Sequence, residues 1–272
     1  MISSTNMAAL YSANAANKWS AAATTASERI STTYRINRSS DDPSGMMVAT
    51  SLSSDLSSYS RTLDNIHSGI AAVQKVDSSL TAIANYLTEM RTLAVTAAST
   101  SDATTLSTLQ TSFDNYRTDI TDVATYTTLN GSSLMDGSTT SVSVQVGIAA
   151  GDSRSLSFSS ATATALGLSA LDISSSASTA ISTIDTALVT IENYQSLVGA
   201  HEKLLGYRET LSDNMILSLT SAYGNVMDAD VAAETTNLAA YQIREEAATA
   251  VMVQANTITK EMVAYLLQGI TS

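Results

Sequence analysis

The chain has 272 residues but only one proline and no cysteine. A single proline leaves long stretches without the residue that most strongly breaks helices. The lack of cysteine excludes disulfides, thiolate metal sites and thiol redox chemistry. Aromatic residues make up 5% and charged residues 14% of the chain, whereas about three residues in ten are Ser or Thr. A core of such small side chains is thin, which suits long helices packed along their length.

The charge balance is acidic, with a net charge of −12 at pH 7. Because an acidic surface does not condense on phosphate, we expect no nucleic-acid partner. No apolar run approaches the ~20 residues of a membrane-spanning helix, so we expect no membrane insertion. The N-terminal stretch MISSTNMAALYSANAANKW lacks the basic and apolar segments of a cleaved secretory signal. If the protein leaves the cell, we therefore expect it not to use the cleaved-signal route.

Apolar residues recur at spacings of three and four along most of the chain, which predicts long amphipathic helices. Over residues 63–95 this stripe predicts a helix of about 35 residues, with one three-residue slip between Val73 and Val76. Further helices are predicted over 106–123 and from about 177. The spacing becomes alternate only near 140–160, in SVSVQVG and SRSLSFS, which predicts a β-hairpin.

The predicted fold class is therefore mainly α, with long antiparallel coiled-coil-like helices and one small β-hairpin region. Three parts are expected along the chain. The paired terminal helices occupy 1–33 and 235–272, the linkers occupy 34–55 and 224–234, and the α-helical core with its hairpin occupies 56–223.

The terminal helices carry apolar faces that nothing in a monomer is expected to cover, so we predict that they form an assembly interface between chains. The residues of this predicted interface are Tyr11, Ala15, Trp19, Ala22, Ala26, Ile30, Leu238, Tyr241, Met252, Ala255, Met262 and Leu266.

The linkers hold the residues that interrupt the helical pattern. Pro43 biases Asp42 away from helical geometry, and Asp41 and Asp42 are expected to cap or favour the N-terminus of the helix that follows. Gly224 is expected to break the second long helix. An ordinary inter-helix loop is the alternative interpretation of 34–45. The predicted hinge residues are Arg35, Asp41, Asp42, Pro43, Gly45 and Gly224.

The best candidate for a catalytic motif is HEKLL, which starts at His201. A zinc protease needs H-E-x-x-H, but Leu205 stands at the second histidine position and His67 lies on another predicted helix. No G-x-S-x-G turn is present. We therefore expect no enzyme, no metal and no cofactor. A hydrolase that uses the HEKLL helix is the alternative, and zinc binding would distinguish the two.

Several long segments, in the same order, resemble those of the bacterial flagellins. ERISTTYRINRSSDDPSG is similar to the family's E-R-L-S-S-G-x-R-I-N-S-A-x-D-D-A-A-G, and ISSTNMAAL is similar to its opening I-N-T-N-x-x-x-L. TLNGSSLMDG and SVQVGIAAGD match the segments around its hairpin. DADVAAETTNLAAYQIREEAATAVMVQAN resembles D-x-D-x-A-x-E-x-x-N-L-x-x-x-x-I-L-x-Q-A-x-x-x-x-L-A-Q-A-N. The resemblance covers essentially the whole chain.

This resemblance implies a minimal, core-domain-only subunit that polymerises into the extracellular flagellar filament for motility. The terminal helices would form an inner tube and the core a surrounding layer. The partners implied are other copies of the chain, a flagellar export chaperone, the filament cap and hook-junction proteins, with secretion through the flagellar type III channel. The alternative is the flagellin-like hook–filament junction protein, which also carries D-D-P followed by a small residue and Gly.

The resemblance further implies a region equivalent to the one that the animal Toll-like receptor for flagellin contacts. Aligned on L-A-V, Glu89 falls where the family has its main contact arginine, whereas Arg91 and Leu93 match. Ser112 falls where the family has an assisting glutamate. We therefore expect weak activation of that receptor.

Overall fold

The computed structural model describes residues 6–271, apart from the side chains of residues 266 and 269–271. Within this range the helices are α1 (Met7–Thr32), α2 (Pro43–Ser99), α3 (Ala103–Tyr126), α4 (Ile173–Met227) and α5 (Val231–Thr271). The strands are β1 (Thr128–Leu129), β2 (Ser132–Ser133), β3 (Ser141–Gln145) and β4 (Ser153–Ser157). The predicted fold class, mainly helical with a small β-hairpin region, is confirmed.

The chain divides into two compact units. The core unit is Asp55–Ser218, and the terminal unit combines the residues up to Ser54 with those from Leu219 onward. The proposed roles of these parts as tube and surrounding layer stay a prediction.

In the core unit, α2 and α4 run antiparallel. Gln74 Nε2 donates to Glu202 Oε1 at 3.0 Å, and Arg91 Nε donates to Asp185 Oδ1 at 2.7 Å, so residue numbers rise on one helix as they fall on the other. The apolar stripe predicted from the sequence is the buried seam of this pair. Its fully buried members on α2 include Ile66, Val73, Val76, Leu80, Ile83, Leu87, Met90 and Ala94.

The hairpin region packs onto this helix pair. β3 and β4 are antiparallel, with Val142 opposite Leu156, and Leu156 is fully buried in the same core. Gly69 of α2 permits this close approach, because a Cβ there would lie 3.1 Å from the side chain of Val144. The shorter β1–β2 pair was not predicted, although Asn130 and Gly131 both have the positive φ of a two-residue hairpin turn.

The helix α2 exceeds its predicted length. It has 57 residues, whereas the stripe predicted about 35. In α4, Ser176 has non-helical backbone angles (φ −141°, ψ 47°), so regular helix begins at residue 177, where the stripe begins in the sequence. The first turns of α2 lack a strong apolar stripe, so periodicity alone did not predict helix there. Hydroxyl groups in these turns bond back to helical carbonyls, as Thr50 Oγ1 does to the Met46 oxygen at 2.8 Å. Helix begins at Pro43, so residues 43–55 of the predicted linker are helical; the assignment of a linker there stays a prediction.

The second predicted linker also begins inside a helix. Gly224 lies inside α4, which continues to Met227, so the only non-helical residues between α4 and α5 are Asp228 to Asp230. Gly224 therefore does not break the helix.

The two linkers pair with each other. Tyr34 and Asp228 form an antiparallel bridge, flanked by the hydrogen bonds from Arg35 N to the Met227 oxygen at 2.6 Å and from Ala229 N to the Thr33 oxygen at 2.9 Å. This bridge holds the end of α1 beside the start of α5. Beneath it a small cluster of buried side chains consists of Ile36, Ala49 and Met227.

The charge of the first linker follows from its backbone donors. Asp42 Oδ1 accepts the Gly45 N–H at 2.9 Å and thereby caps α2, as predicted. Asp41 instead accepts the N–H groups of Asn37 and Arg38 at 3.1 and 3.0 Å, so it closes the linker turn and does not cap the helix. Pro43 is the first helical residue, where the missing N–H costs no intrahelical bond.

Replacing Gly45 by Ala should destabilise the terminal unit. A Cβ at Gly45 would lie 2.4 Å from Asp42 Oδ2 and 2.6 Å from Ile36 Cδ1, so the cap or the buried cluster must move, at a cost of about 1–3 kcal/mol. Gly206→Ala is the matched control, since a Cβ at Gly206 meets no atom within 4 Å and should stabilise α4 by up to ~1 kcal/mol. Thermal unfolding of the two variants measures both effects, and equal stabilisation would contradict this account.

Acid should open the linker turn at a pH below the ordinary aspartate pKa. The N–H groups of Arg38 and Asn37 hold the pKa of Asp41 below its usual value of 3.8. The charged carboxylate therefore stabilises the turn above pH 3.8, and this contribution is lost as the pH falls through the lowered pKa. NMR titration of the Asn37 and Arg38 amides should give a midpoint below 3.8 that Asp41→Asn abolishes. A midpoint at or above that value would refute the assignment.

Candidate assembly interface

The terminal helices α1 and α5 pair antiparallel along the described part of α1. At one end Asn6 Nδ2 donates to the Ala255 oxygen at 3.0 Å and to Thr259 Oγ1 at 2.8 Å. At the other end Arg29 and Glu234 form an ion pair at 3.0 Å, with only 14% of the Glu234 side chain exposed. Polar contacts at both ends therefore fix the register of this pair.

The only tryptophan of the chain sits in the middle of the pair. The ring of Trp19 stacks on Tyr241, with centroids 5.8 Å apart and an angle of 19° between the planes. The Arg244 guanidinium lies 4.7 Å from the Trp19 centroid and Lys18 Nζ lies 5.4 Å from it. Cation–π contacts of this kind attract the two helices at a position otherwise dominated by alanine.

The rest of the seam is narrow. The α5 residues turned toward α1 recur at spacings of three and four and are half-buried: Leu238, Tyr241, Glu245, Ala248, Met252, Ala255 and Thr259. On α1 the buried residues are Ala9, Ala23 and Ala26. Alanine on one side allows close approach but buries little apolar area.

This seam corrects the expectation that the predicted faces are uncovered in a monomer. Nine of the predicted interface residues are buried or half-buried within the chain itself, namely Ala15, Trp19, Ala22, Ala26, Ile30, Leu238, Tyr241, Met252 and Ala255. By contrast, Tyr11 is 69% and Met262 is 60% exposed. The side chain of Leu266 lies outside the described residues.

A larger apolar surface lies outside the seam. The exposed large apolar residues at the two ends of the chain are Met7, Leu10, Tyr11, Met47, Val48, Val231, Ile243, Val251, Val253, Ile258, Met262, Val263, Tyr265 and Leu267. We call this set the terminal apolar surface. Sequence reasoning missed most of it by following a single stripe. The run VMV at 251–253 was the available signal, since adjacent apolar residues point to different sides of a helix.

From about residue 250, α5 carries large apolar side chains outside the face that it turns toward α1, beside polar residues such as Lys260 and Glu261. Val251, Val253 and Ile258 are at least half exposed, and Tyr265 is 78% exposed. A large exposed apolar patch normally marks a contact with another protein. α1 covers only one of its faces, so the terminal apolar surface is the feature of the molecule best suited to bind protein.

The described residues show no cluster of side chains suited to catalysis or metal binding. No group of three or more His, Asp or Glu side chains there could hold a metal ion. His201 and Glu202 lie on α4, where Glu202 accepts a hydrogen bond from Gln74. Among the same residues, no helix is long and apolar enough to cross a membrane.

The four residues of the receptor-equivalent region differ in availability. Glu89 is exposed on α2, whereas Leu93 packs against the core. Arg91 is held by Asp185, and this hydrogen bond raises the pKa of the guanidinium above its usual value. Ser112 on α3 donates its hydroxyl to the Thr108 oxygen at 3.2 Å. The Asp185 partner lies on a distant part of the chain and was not found from the sequence.

Comparison with known proteins gives matches along most of the chain. Residues 3–140 match the bacterial flagellin N-terminal helical region, and residues 181–266 match the bacterial flagellin C-terminal helical region. The chain is 28% identical to a flagellin of Listeria innocua over 97% of this chain and 99% of that one. It is 29% identical to the flagellin FljO of Caulobacter vibrioides, over 89% of this chain and 90% of that one.

A solved structure named as a flagellar hook-associated protein of Vibrio parahaemolyticus has a similar fold. The TM-score is 0.59 at 15% sequence identity, over 69% of this chain and all of that one.

Proposed function

The chain belongs to the bacterial flagellin family and is a structural subunit of the flagellar filament, and we propose that the terminal apolar surface holds neighbouring subunits together. The family is one of structural proteins, so the chain is not an enzyme. The observation that carries the proposal is the set of exposed apolar side chains on α1, α5 and the first turns of α2, most of them on a helix pair too thin to bury them itself.

Burial of this surface supplies the driving force for polymerisation. Each 100 Å² of apolar surface removed from water contributes about 2.5 kcal/mol, and association must first offset the lost freedom of each subunit. Several residues with large exposed fractions, such as Ile243 at 67% and Tyr265 at 78%, can each contribute to that total. Tyr11 and Met262 are the residues of the original prediction that belong to this surface.

The residues inside the α1–α5 seam have a different role. Trp19, Tyr241 and Met252 hold the two helices of one subunit together and so present the terminal apolar surface in one arrangement. In a helical polymer each subunit binds through two different surfaces that do not close into a ring. A fixed arrangement of both terminal helices favours such a repeated contact.

The filament subunit is part of the extracellular flagellum, and its route and helpers are further proposals. The resemblance to flagellins supports export through the flagellar type III channel. An export chaperone would cover apolar side chains of α5 before assembly, and the filament cap and hook-junction proteins would contact the same surface at the filament ends. The exposure of Val251, Val253 and Ile258 supports a need for such covering.

We assign the hinge of the terminal helices to the bridged linkers. The non-helical residues around Arg35, Asp41 and Asp42, together with Asp228 to Asp230, are where the backbone can rotate without breaking helical hydrogen bonds. Gly45 lies within the first turns of α2, where it allows close packing.

The junction-protein alternative is not favoured. Both family models that match the chain are flagellin models, and the relative from Listeria innocua that spans nearly the whole chain is named a flagellin. The likeness to a hook-associated structure is at 15% identity and shows the fold alone.

Removal of residues 235–272 should abolish polymerisation, because it removes most of α5 and its apolar surface. Seeded polymerisation followed by sedimentation and electron microscopy measures the effect, and long filaments of the truncated chain would refute the proposal.

Ile243→Glu should raise the critical concentration by about tenfold or more, since a buried unpaired charge costs well over 1.4 kcal/mol. Gln242→Glu is the matched control: it adds the same charge to the neighbouring exposed position without removing an apolar side chain.

Activation of the animal Toll-like receptor for flagellin should be weak. Glu89 stands where the family has the arginine that makes the main receptor contact. Exchange of a cation for an anion in such a desolvated contact loses attraction and adds repulsion of several kcal/mol. Arg91 is already paired with Asp185. In a reporter assay with monomer, Glu89→Arg should raise activation by about tenfold or more. Asp77→Arg makes the same charge change at another exposed position of α2 and should have little effect. Activation by the unaltered chain at concentrations typical of strongly stimulatory flagellins would contradict the prediction.

A further inference from the structure

Methionine is the only sulfur-containing residue of this chain, which has ten methionines and no cysteine. A thiol normally reacts first with an oxidant. Because this chain has no thiol, its thioethers are the sulfur groups that an oxidant attacks. Their exposure differs sharply between positions. Among the methionines of residues 6–271, which exclude Met1, the side chains with the largest exposed fractions are Met47 at 69%, Met262 at 60% and Met7 at 50%, whereas Met90, Met135 and Met227 are 0%, 1% and 6% exposed.

The three most exposed methionines all belong to the terminal unit and lie among other exposed apolar side chains. Met262 is one turn from Ile258 on α5, and both are at least half exposed. Met7 is one turn from Leu10 and Tyr11 on α1, and Met47 adjoins Val48 on α2. Each thioether is therefore part of the surface that we assign to contacts between subunits.

We propose that Met7, Met47 and Met262 form a modification site at which peroxide-class oxidants block assembly of the free subunit. The inference rests on the proposed function, because it needs this surface to be buried in the filament. In the reaction the Sδ lone pair attacks one oxygen of hydrogen peroxide and the O–O bond breaks. The thioether becomes a sulfoxide, losing two electrons, and the second oxygen leaves as water.

The product is incompatible with an apolar contact. A sulfoxide oxygen is a polar acceptor, and its burial without a donor is unfavourable. Of the exposed residues within one turn of Met262 on α5, Ile258 and Val263 have no side-chain donor, whereas Tyr265 carries a hydroxyl group. A subunit oxidised before assembly would therefore be excluded from the filament, whereas the same methionines would be protected once the surface is buried.

The experiment compares free subunits and filaments of the full chain. Each is treated with hydrogen peroxide, quenched and mapped by peptide mass spectrometry. In monomer Met7, Met47 and Met262 should gain 16 mass units each, the mass of one oxygen, while Met90 and Met135 stay unmodified. In filament the three exposed methionines should oxidise at least about tenfold more slowly. Equal rates in monomer and filament would overturn the proposed site.

The second measurement is the critical concentration for seeded polymerisation. Oxidised monomer should need at least about tenfold more protein than untreated monomer, and methionine sulfoxide reductase should restore the original value. Unimpaired polymerisation of monomer in which all three positions carry sulfoxide would refute the proposal.

Substitution separates these sites from general oxidative damage. The triple variant Met7→Leu, Met47→Leu and Met262→Leu is compared with its own untreated sample, so that any change in basal polymerisation cancels. Its critical concentration should change less than about twofold on treatment. Met215→Leu removes a methionine of the core unit that is 40% exposed and should remain as sensitive as the unaltered chain. A triple variant as sensitive as the unaltered chain would overturn the proposal, whereas failure of untreated chain to polymerise would instead overturn the assembly role of this surface.

Discussion

The thinness of the α1–α5 pair is the constraint on which the rest of the structure depends. Two helices whose contact is built largely from alanine bury little apolar area, so hydrophobic burial within one chain cannot give the terminal unit much stability. The large apolar residues of α5 that do not fit into this seam remain exposed, as Ile243 and Tyr265 do. In the assembly that we propose, other subunits bury them, so the same limitation that weakens the monomer favours the polymer.

A thin pair also needs specific contacts to fix its register, since small side chains allow helices to slide. The stacking of Trp19 on Tyr241 and the Arg29–Glu234 ion pair provide such contacts. The bridged linkers provide another, because the bridge between Tyr34 and Asp228 ties the two chain segments together by backbone hydrogen bonds. The charged residues of the first linker follow from the same need: carboxylates satisfy the N–H groups that a break between helices leaves free.

The sequence predicted the features that depend on local periodicity. The α2 stripe from Ile66 to Ala94 and the β3–β4 hairpin needed only spacing, and both are present. It underestimated α2, because the first turns of that helix lack a strong apolar stripe, and it treated Gly224 as a break although that residue lies inside α4. The seam between α1 and α5 joins segments more than 200 residues apart, as the ring stack of Trp19 on Tyr241 shows. The apolar stripe of one segment alone does not show whether it packs against a helix of the same chain or against another subunit.

This distinction decides where the assembly surface lies. Within α5 the half-buried positions such as Leu238 and Met252 continue one stripe, and the sequence singles them out because they repeat regularly. The exposed residues between them, such as Val251 and Val253, are not periodic, since they occupy the remaining sides of the same helix. In a helix that must be buried on all sides, regular spacing therefore marks the partner within the chain, and the apolar residues outside that spacing mark the neighbouring subunits.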